Sequence, residues 1–211
     1  MAQLNDYRQI RAVYDENNVI VYQAYSKEIA AAATKSQFLS QSPSFSRDRM
    51  TWIKPSFLWM MYRCGWATKQ HQEHVLAITI TRDGFEWALA NSSLSHFNAA
   101  LAIDEKSKAA WQKEMMDAPV RVQWDPEKNI HLKDIPQRSI QIGISRHAVA
   151  KYIDDWIVKI EDITAQCDFI KQLIDNGKIE EARRAMPQER LYPLPPALIQ
   201  HLGATYPPPP V

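Results

Sequence analysis

The sequence predicts an α+β domain: a mixed or antiparallel β core with flanking helices and a helical C-terminal third. β-branched and aromatic runs at Val19–Tyr25, His74–Thr81 and Arg138–Ile144 are bounded by turn residues and read as core strands. Helical patterns lie between them, and from Ser145 up to the proline-rich tail the pattern is helical. The organisation expected is one α+β domain over residues 1–190, its helical part starting near 145, followed by a proline-rich tail over 191–211.

The elements follow in order. Residues 1–16 alternate polar and aromatic residues, with Arg8, Arg11 and Tyr14 prominent, and Asn17-Asn18 marks a turn before VIVYQAY. Ser26 stands where a helix N-cap would, with Glu28 in the first turn favoured by the helix dipole. A strand therefore feeds straight into a helix, a junction that leaves backbone N–H groups where ligands bind. A turn-rich linker, LSQSPSFSRD, leads to Met50–Lys54, read as a short strand. Pro55 suits the first helical position, FLWMMYR supplies two turns, and Gly65 ends them. HVLAITIT is the next strand, Asp83-Gly84 reads as a turn, and FEWALANS as a short helix. DEKSKAAWQKEMM is an amphipathic helix that Pro119 stops, VRVQW is a strand, and DPEKN a turn. SRHAVAKYIDDWIVKIEDIT places Val149, Ile153, Trp156, Ile157 and Ile160 at helical spacing, and two shorter helices, CDFIKQLIDN and IEEARRAM, follow. The PPPPV end suits polyproline II.

Composition narrows the function. A net charge of +1 provides no global field to hold long nucleic acid or an anionic membrane. No apolar run approaches the length of a membrane span, and two cysteines, Cys64 and Cys167, form neither a metal spacing nor a disulfide framework. The chain is expected to be cytoplasmic, with free thiols and no membrane partner. GxGxxG, P-loop, GxSxG, HExxH and CxxC patterns are absent, and with five glycines a glycine-rich phosphate loop is excluded. His71 and His74 have no third ligand nearby, so no metal is expected.

The stretch from Arg49 to Trp66, RMTWIKPSFLWMMYRCGW, interleaves Arg49, Lys54 and Arg63 with Trp52, Phe57, Trp59 and Trp66. Cations among aromatics suit a pocket for a planar, phosphate-bearing ligand, by ion pairing and stacking. They equally suit a core segment whose long cations reach outward to water. Lys54 lacks the K-x-D-G context of nucleotidyl-transferring lysines, since the text reads KPSF, and is read as a phosphate-binding cation or a solvent-facing lysine.

At that stretch the sequence resembles the domain-of-unknown-function family 4291. The likeness continues through RQIRAVYDENNVIVYQAY, RSIQIGI, WIVKIEDIT and ERLYPLP, and so runs over nearly the full length. VYQAYSKEIAAAAT separately resembles the opening strand and helix of ADP-ribosyltransferase-like folds. That second resemblance implies a ribose-holding residue at Gln23, where those enzymes carry His or Arg, and aromatic stacking from TWIKPSFLWMMY. It also implies a catalytic Glu at the place where Gln141 stands. Gln can bond ribose hydroxyls but puts no negative charge beside a developing cation. The wider group also contains RNA 2′-phosphotransferases, which use arginines in place of that Glu; Arg11, Arg49, Arg63 and Arg138 are the counterparts in this chain.

The resulting expectation is a nucleotide-binding enzyme using NAD or a related nucleotide, with an RNA or protein acceptor. Gln23, Gln141 and Arg49 are the expected catalytic residues, and Arg11, Tyr22, Trp52, Lys54, Trp59 and Arg63 the expected cofactor-binding ones. A non-catalytic nucleotide or RNA-end binding module is the alternative. An interaction protein displaying its proline-rich end is a third reading.

Overall fold

The computed structural model describes residues 7–96 and 105–205. It is an α+β fold of two main sheets. In chain order the elements are β1 (Tyr7–Arg8), β2 (Arg11–Ala12), β3 (Asn18–Tyr25), α1 (Lys27–Ser36), β4 (Thr51–Ile53), α2 (Phe57–Cys64), β5 (His74–Thr81), α3 (Arg82–Ala90) and β6 (Ser92–Leu94). Then come α4 (Glu105–Asp117), β7 (Val120–Lys128), β8 (Asp134–Ile144), α5 (Arg146–Lys151), β9 (Ile157–Asp162), α6 (Thr164–Asp175), α7 (Ile179–Ala185), β10 (Arg190–Leu191) and α8 (Pro196–Leu202).

The larger sheet runs β1-β8-β7-β6, with β4 also paired to β8; the smaller runs β3-β5-β9 and is antiparallel. A short β10-β2 ladder ties the C-terminal segment to the N-terminal one. The two sheets meet at β4. Thr51 and Ile53 pair with Ile144 and Ile142 of β8, while one residue on Lys54 bridges to Tyr22 of β3, with backbone bonds of 2.7 and 3.2 Å.

Alternation along the strands explains what each face buries. Val19 and Val21 of β3, Leu76, Ile78 and Ile80 of β5, and Ile140, Ile142 and Ile144 of β8 enter one continuous core. Ile20, Tyr22 and Ala24 of β3, with Val75 and Ala77 of β5, face a second core filled by α2, α6 and α7. Phe57, Met60 and Met61 anchor α2 there, at about 1.5–3 kcal/mol each.

Several local expectations change in the fold. The Ser56 hydroxyl, not Pro55, starts α2, accepting from the Trp59 N–H at 3.2 Å; Gly65 ends it at φ 61°. Asp83-Gly84 is the first turn of α3, because Thr81 Oγ1 accepts the Gly84 N–H at 3.1 Å. Gly84 is also where the Trp156 ring packs: an added Cβ would lie 2.3 Å from it. DPEK continues β7 through a register shift after Pro126, so the strand reaches Lys128.

The largest difference lies in Ser145–Thr164. The helix expected there stops after α5 in one wide π-helical turn, Tyr152–Trp156, and Ile157–Asp162 is strand β9. The open edge of β5 accepts this β-branched run, and those ladder bonds outweigh the helical spacing. The segment from residue 191 is built into the fold as far as Thr205: Tyr192 and Leu202 are fully buried, and Trp124 Nε1 donates to the Leu202 carbonyl at 2.9 Å. The PPPPV end lies outside the described residues. Among the described residues no helix is long and apolar enough to cross a membrane.

Candidate functional site

A cleft of about 1480 Å³ opens beside the line where the sheets meet. It exceeds the roughly 300–1,000 Å³ of pockets that hold drug-sized ligands, and so has room for a dinucleotide. Its walls come from the C-terminal end of β3, the loop before β4, β4 itself, the outer face of α2, the His71–His74 rim and the faces of β7 and β8 turned away from the core.

Seven of the nine sequence-predicted residues line it: Gln23, Arg49, Trp52, Lys54, Trp59, Arg63 and Gln141. Arg49 and Arg63 are exposed at its mouth. Lys54 is 6% exposed at its floor, with the Trp52 carbonyl 3.3 Å from Nζ. Burial lowers the Lys54 pKa to about 8; the Arg63 guanidinium adds to this, and the Asp125 carboxylate opposes it.

Trp52 is half-buried and lies on Gly143, where an added Cβ would fall 2.8 Å from both the indole and Met50 Sδ. The bare backbone of β8 is thus the shelf that holds the ring. Trp59 stacks on Tyr62 at 5.2 Å and 24°, and Lys128 Nζ sits 3.8 Å from the Tyr62 ring centre and 5.3 Å from that of Trp59. An ion pair with Asp134 holds Lys128 in place. Trp59 is therefore largely committed to protein contacts, and Tyr62, 41% exposed, is the open ring of the pair.

Gln23 lines the cleft but its amide is spent internally. Nε2 donates to Thr51 Oγ1 at 2.7 Å and to the Trp52 carbonyl at 3.2 Å, while Oε1 accepts from the Tyr152 hydroxyl at 2.8 Å. Gln141 behaves differently. Its Nε2 donates to Asp125 Oδ2 at 2.8 Å, and Gln123, its cross-strand partner, donates to Asp125 Oδ1 at 2.7 Å. Asp125 thus stands on the cleft wall with each oxygen held by one amide. Sequence reading placed Asp125 in a turn and missed it; the D-P that suggested the turn is the bulged part of β7.

Arg11 and Tyr22 do not reach the cleft. Arg11 lies on β2, with Nη2 donating to the Glu189 carbonyl at 3.1 Å. Tyr22 is 1% exposed, edge-on to Phe57 at 5.7 Å, and burial raises its pKa far above the phenol range. Strand alternation is the cause: Gln23 looks one way, and Tyr22 the other. Arg138, the remaining arginine considered, does not line the cleft either.

At the rim, His71 adopts φ 63° and its backbone N–H donates to Glu73 Oε1 at 2.8 Å; the backbone N–H of Glu73 itself, and then that of His71, lower the Glu73 pKa. His74 Nδ1 lies 2.8 Å from Asp162 Oδ2. Among the described residues no group of three His, Cys, Asp or Glu side chains converges on a metal position. Behind the cleft, Glu189 Oε1 accepts the Phe57 N–H at 2.6 Å at the start of α2; burial, with the like charge of Glu127, raises its pKa to about 8.

A comparison with curated proteins finds no match. The family model described as "Domain of unknown function (DUF4291)" matches residues 9–192, and the chain belongs to that family.

Proposed function

We propose that this chain is a nucleotide-binding enzyme of the ADP-ribosyltransferase kind, taking NAD or a related nucleotide in the cleft and transferring its ADP-ribosyl group to an RNA or protein acceptor. The observation that carries the reading is the Asp125 carboxylate held between Gln123 and Gln141 on a wall that also presents Trp52, Arg49 and Arg63. Each Asp125 oxygen keeps a lone pair beyond its amide bond, which suits the two hydroxyls of a ribose. Its charge also meets the need that a glutamine cannot, stabilising positive charge that develops on the sugar.

In this reading Arg49 and Arg63 take the phosphates and Trp52 stacks on a ring. The bond from the ribose anomeric carbon to the nicotinamide nitrogen breaks with its electron pair passing to that ring, which becomes neutral. An acceptor lone pair then bonds to the anomeric carbon, and the acceptor proton passes to solvent. A cytoplasmic, reducing setting suits the two buried free thiols.

One observation favours the alternative, a nucleotide or RNA-end binding module without turnover. The Gln23 amide, aligned with the ribose-holding His or Arg of the enzymes it resembles, has both donors committed to the protein.

Thermal shift against NAD, ADP-ribose, ATP and short RNA, followed by turnover of labelled NAD, tests both. A ligand at a hundred times its dissociation constant adds about 2.7 kcal/mol, which a melting curve resolves. A shift with NAD or ADP-ribose that Asp125→Asn weakens, together with release of nicotinamide, supports the enzyme. A shift without turnover supports the module, and no shift with any ligand removes both.

A further inference from the structure

Lys54 is chemically out of place for a phosphate clamp. It is nine-tenths buried at the cleft floor, and among the described residues its one hydrogen-bond acceptor is the Trp52 carbonyl oxygen at 3.3 Å. An ammonium in that position leaves two N–H donors without partners and bears the desolvation cost of a buried charge. Deprotonation relieves both costs, and the neutral amine keeps one N–H on the carbonyl with its lone pair available for attack. The exposed Arg49 and Arg63 already provide fixed positive charge where an anion enters.

We propose that Lys54 is an amine nucleophile that forms an imine with a phosphorylated aldehyde, specifically an aldose phosphate in its open-chain form, held in this cleft. The Nζ lone pair attacks the carbonyl carbon. A C–N bond forms as the carbonyl π pair moves to oxygen, which takes up a proton released from nitrogen. The carbinolamine then expels its hydroxyl, protonated by solvent, as water, while the nitrogen lone pair forms the C=N bond. The net change is amine plus aldehyde plus one proton from solvent to protonated imine plus water, with no oxidant or reductant. The protonated imine carries its positive charge near Asp125, whose field already acts on this nitrogen, and Arg49 and Arg63 hold the phosphate. The inference rests on the cleft and its cations, not on NAD.

The test incubates the full-length protein with ribose 5-phosphate and sodium cyanoborohydride, which reduces an imine to a stable amine. Intact mass and peptide mapping follow, with NAD thermal shift measured in parallel. The expected result is one reduced adduct per chain on the Lys54 peptide, forming faster as the pH rises to about 8. Inorganic phosphate should suppress it, and Lys54→Arg, which retains charge without a nucleophilic amine, should reduce it to background. No adduct, or labelling spread over surface lysines with the Lys54 peptide unmodified, overturns the proposal. Mapping of the unaltered protein decides this even if the variant misfolds. A retained NAD shift without an adduct overturns the imine alone, and an adduct without any NAD response leaves the imine standing and removes NAD as the nucleotide of this cleft.

Discussion

The Tyr152 hydroxyl donates to Gln23 Oε1 at 2.8 Å, joining the π-helical turn after α5 to strand β3 across 129 residues of sequence. Gln23 in turn donates to Thr51 and Trp52 on β4. This one buried amide therefore ties together the strand, the crossing segment and the C-terminal turn that back the cleft. Its first duty is to hold the wall in place.

Gln23→Leu is accordingly expected to destabilise the protein by roughly 2–4 kcal/mol, because it strands the Tyr152 hydroxyl and loses two donor bonds in the interior. Tyr152→Phe, which removes one bond, should cost about 1 kcal/mol. Urea unfolding of both variants measures this. A Gln23→Leu protein as stable as the parent would return Gln23 to the ligand.

Lys54→Met should stabilise the fold at neutral pH by roughly 1–3 kcal/mol, since it removes a buried charge while retaining volume. The sign with pH follows from a folded pKa lowered from 10.5 to about 8. In that window the unfolded chain binds more protons, so the parent protein gains stability as pH rises and the gap to Lys54→Met closes. The difference between the two melting curves at pH 7 and pH 10 reads it directly.

Glu189 has the opposite sign. Its folded pKa is raised from 4.5 to about 8, so the folded state binds more protons and stability is lost as pH rises through that window. Glu189→Gln keeps an oxygen to accept the Phe57 N–H but carries no charge. The variant should match the parent near pH 4 and exceed it above pH 8 by on the order of 1 kcal/mol. Parallel stability curves across pH 4–9 would refute the account.

Gly143→Ala should cost about 1–3 kcal/mol through overpacking, because the new methyl meets Trp52 and Met50 at 2.8 Å. The indole must leave its shelf, so tryptophan emission should shift and ligand response weaken. An unchanged spectrum would show that Trp52 does not depend on the bare β8 backbone.

How much of this was legible in the chain varies with the range of the interactions. β5 matches HVLAITIT residue for residue, and β3 matches VIVYQAY with Asn18 added. Both are β-branched runs between turn residues, signals that act over a few positions. The cation and aromatic stretch was recognisable as unusual, and Trp52, Lys54, Trp59 and Arg63 share one cleft because β4 and α2 are adjacent in sequence. Strand β9 was not legible, since IVKI has the spacing of a helix and becomes a strand only beside the free edge of β5. Tyr22 was misplaced relative to the cleft for a simpler reason: neighbouring residues on a strand face opposite ways.

The sequence by itself determined the α+β class, the main core strands, α1, α2, α6 and α7, and membership of the family, because these depend on local propensity, hydrophobic period and matching strings. Only the tertiary structure decided that Asp125 meets Gln141 and Gln123, that Lys54 lies buried at a cleft floor, and that Gln23 braces a wall. Those outcomes depend on the pairing of β7 with β8 and the crossing of β4 between two sheets. Such contacts join residues far apart in the chain, and no local pattern in the sequence encodes which of them form.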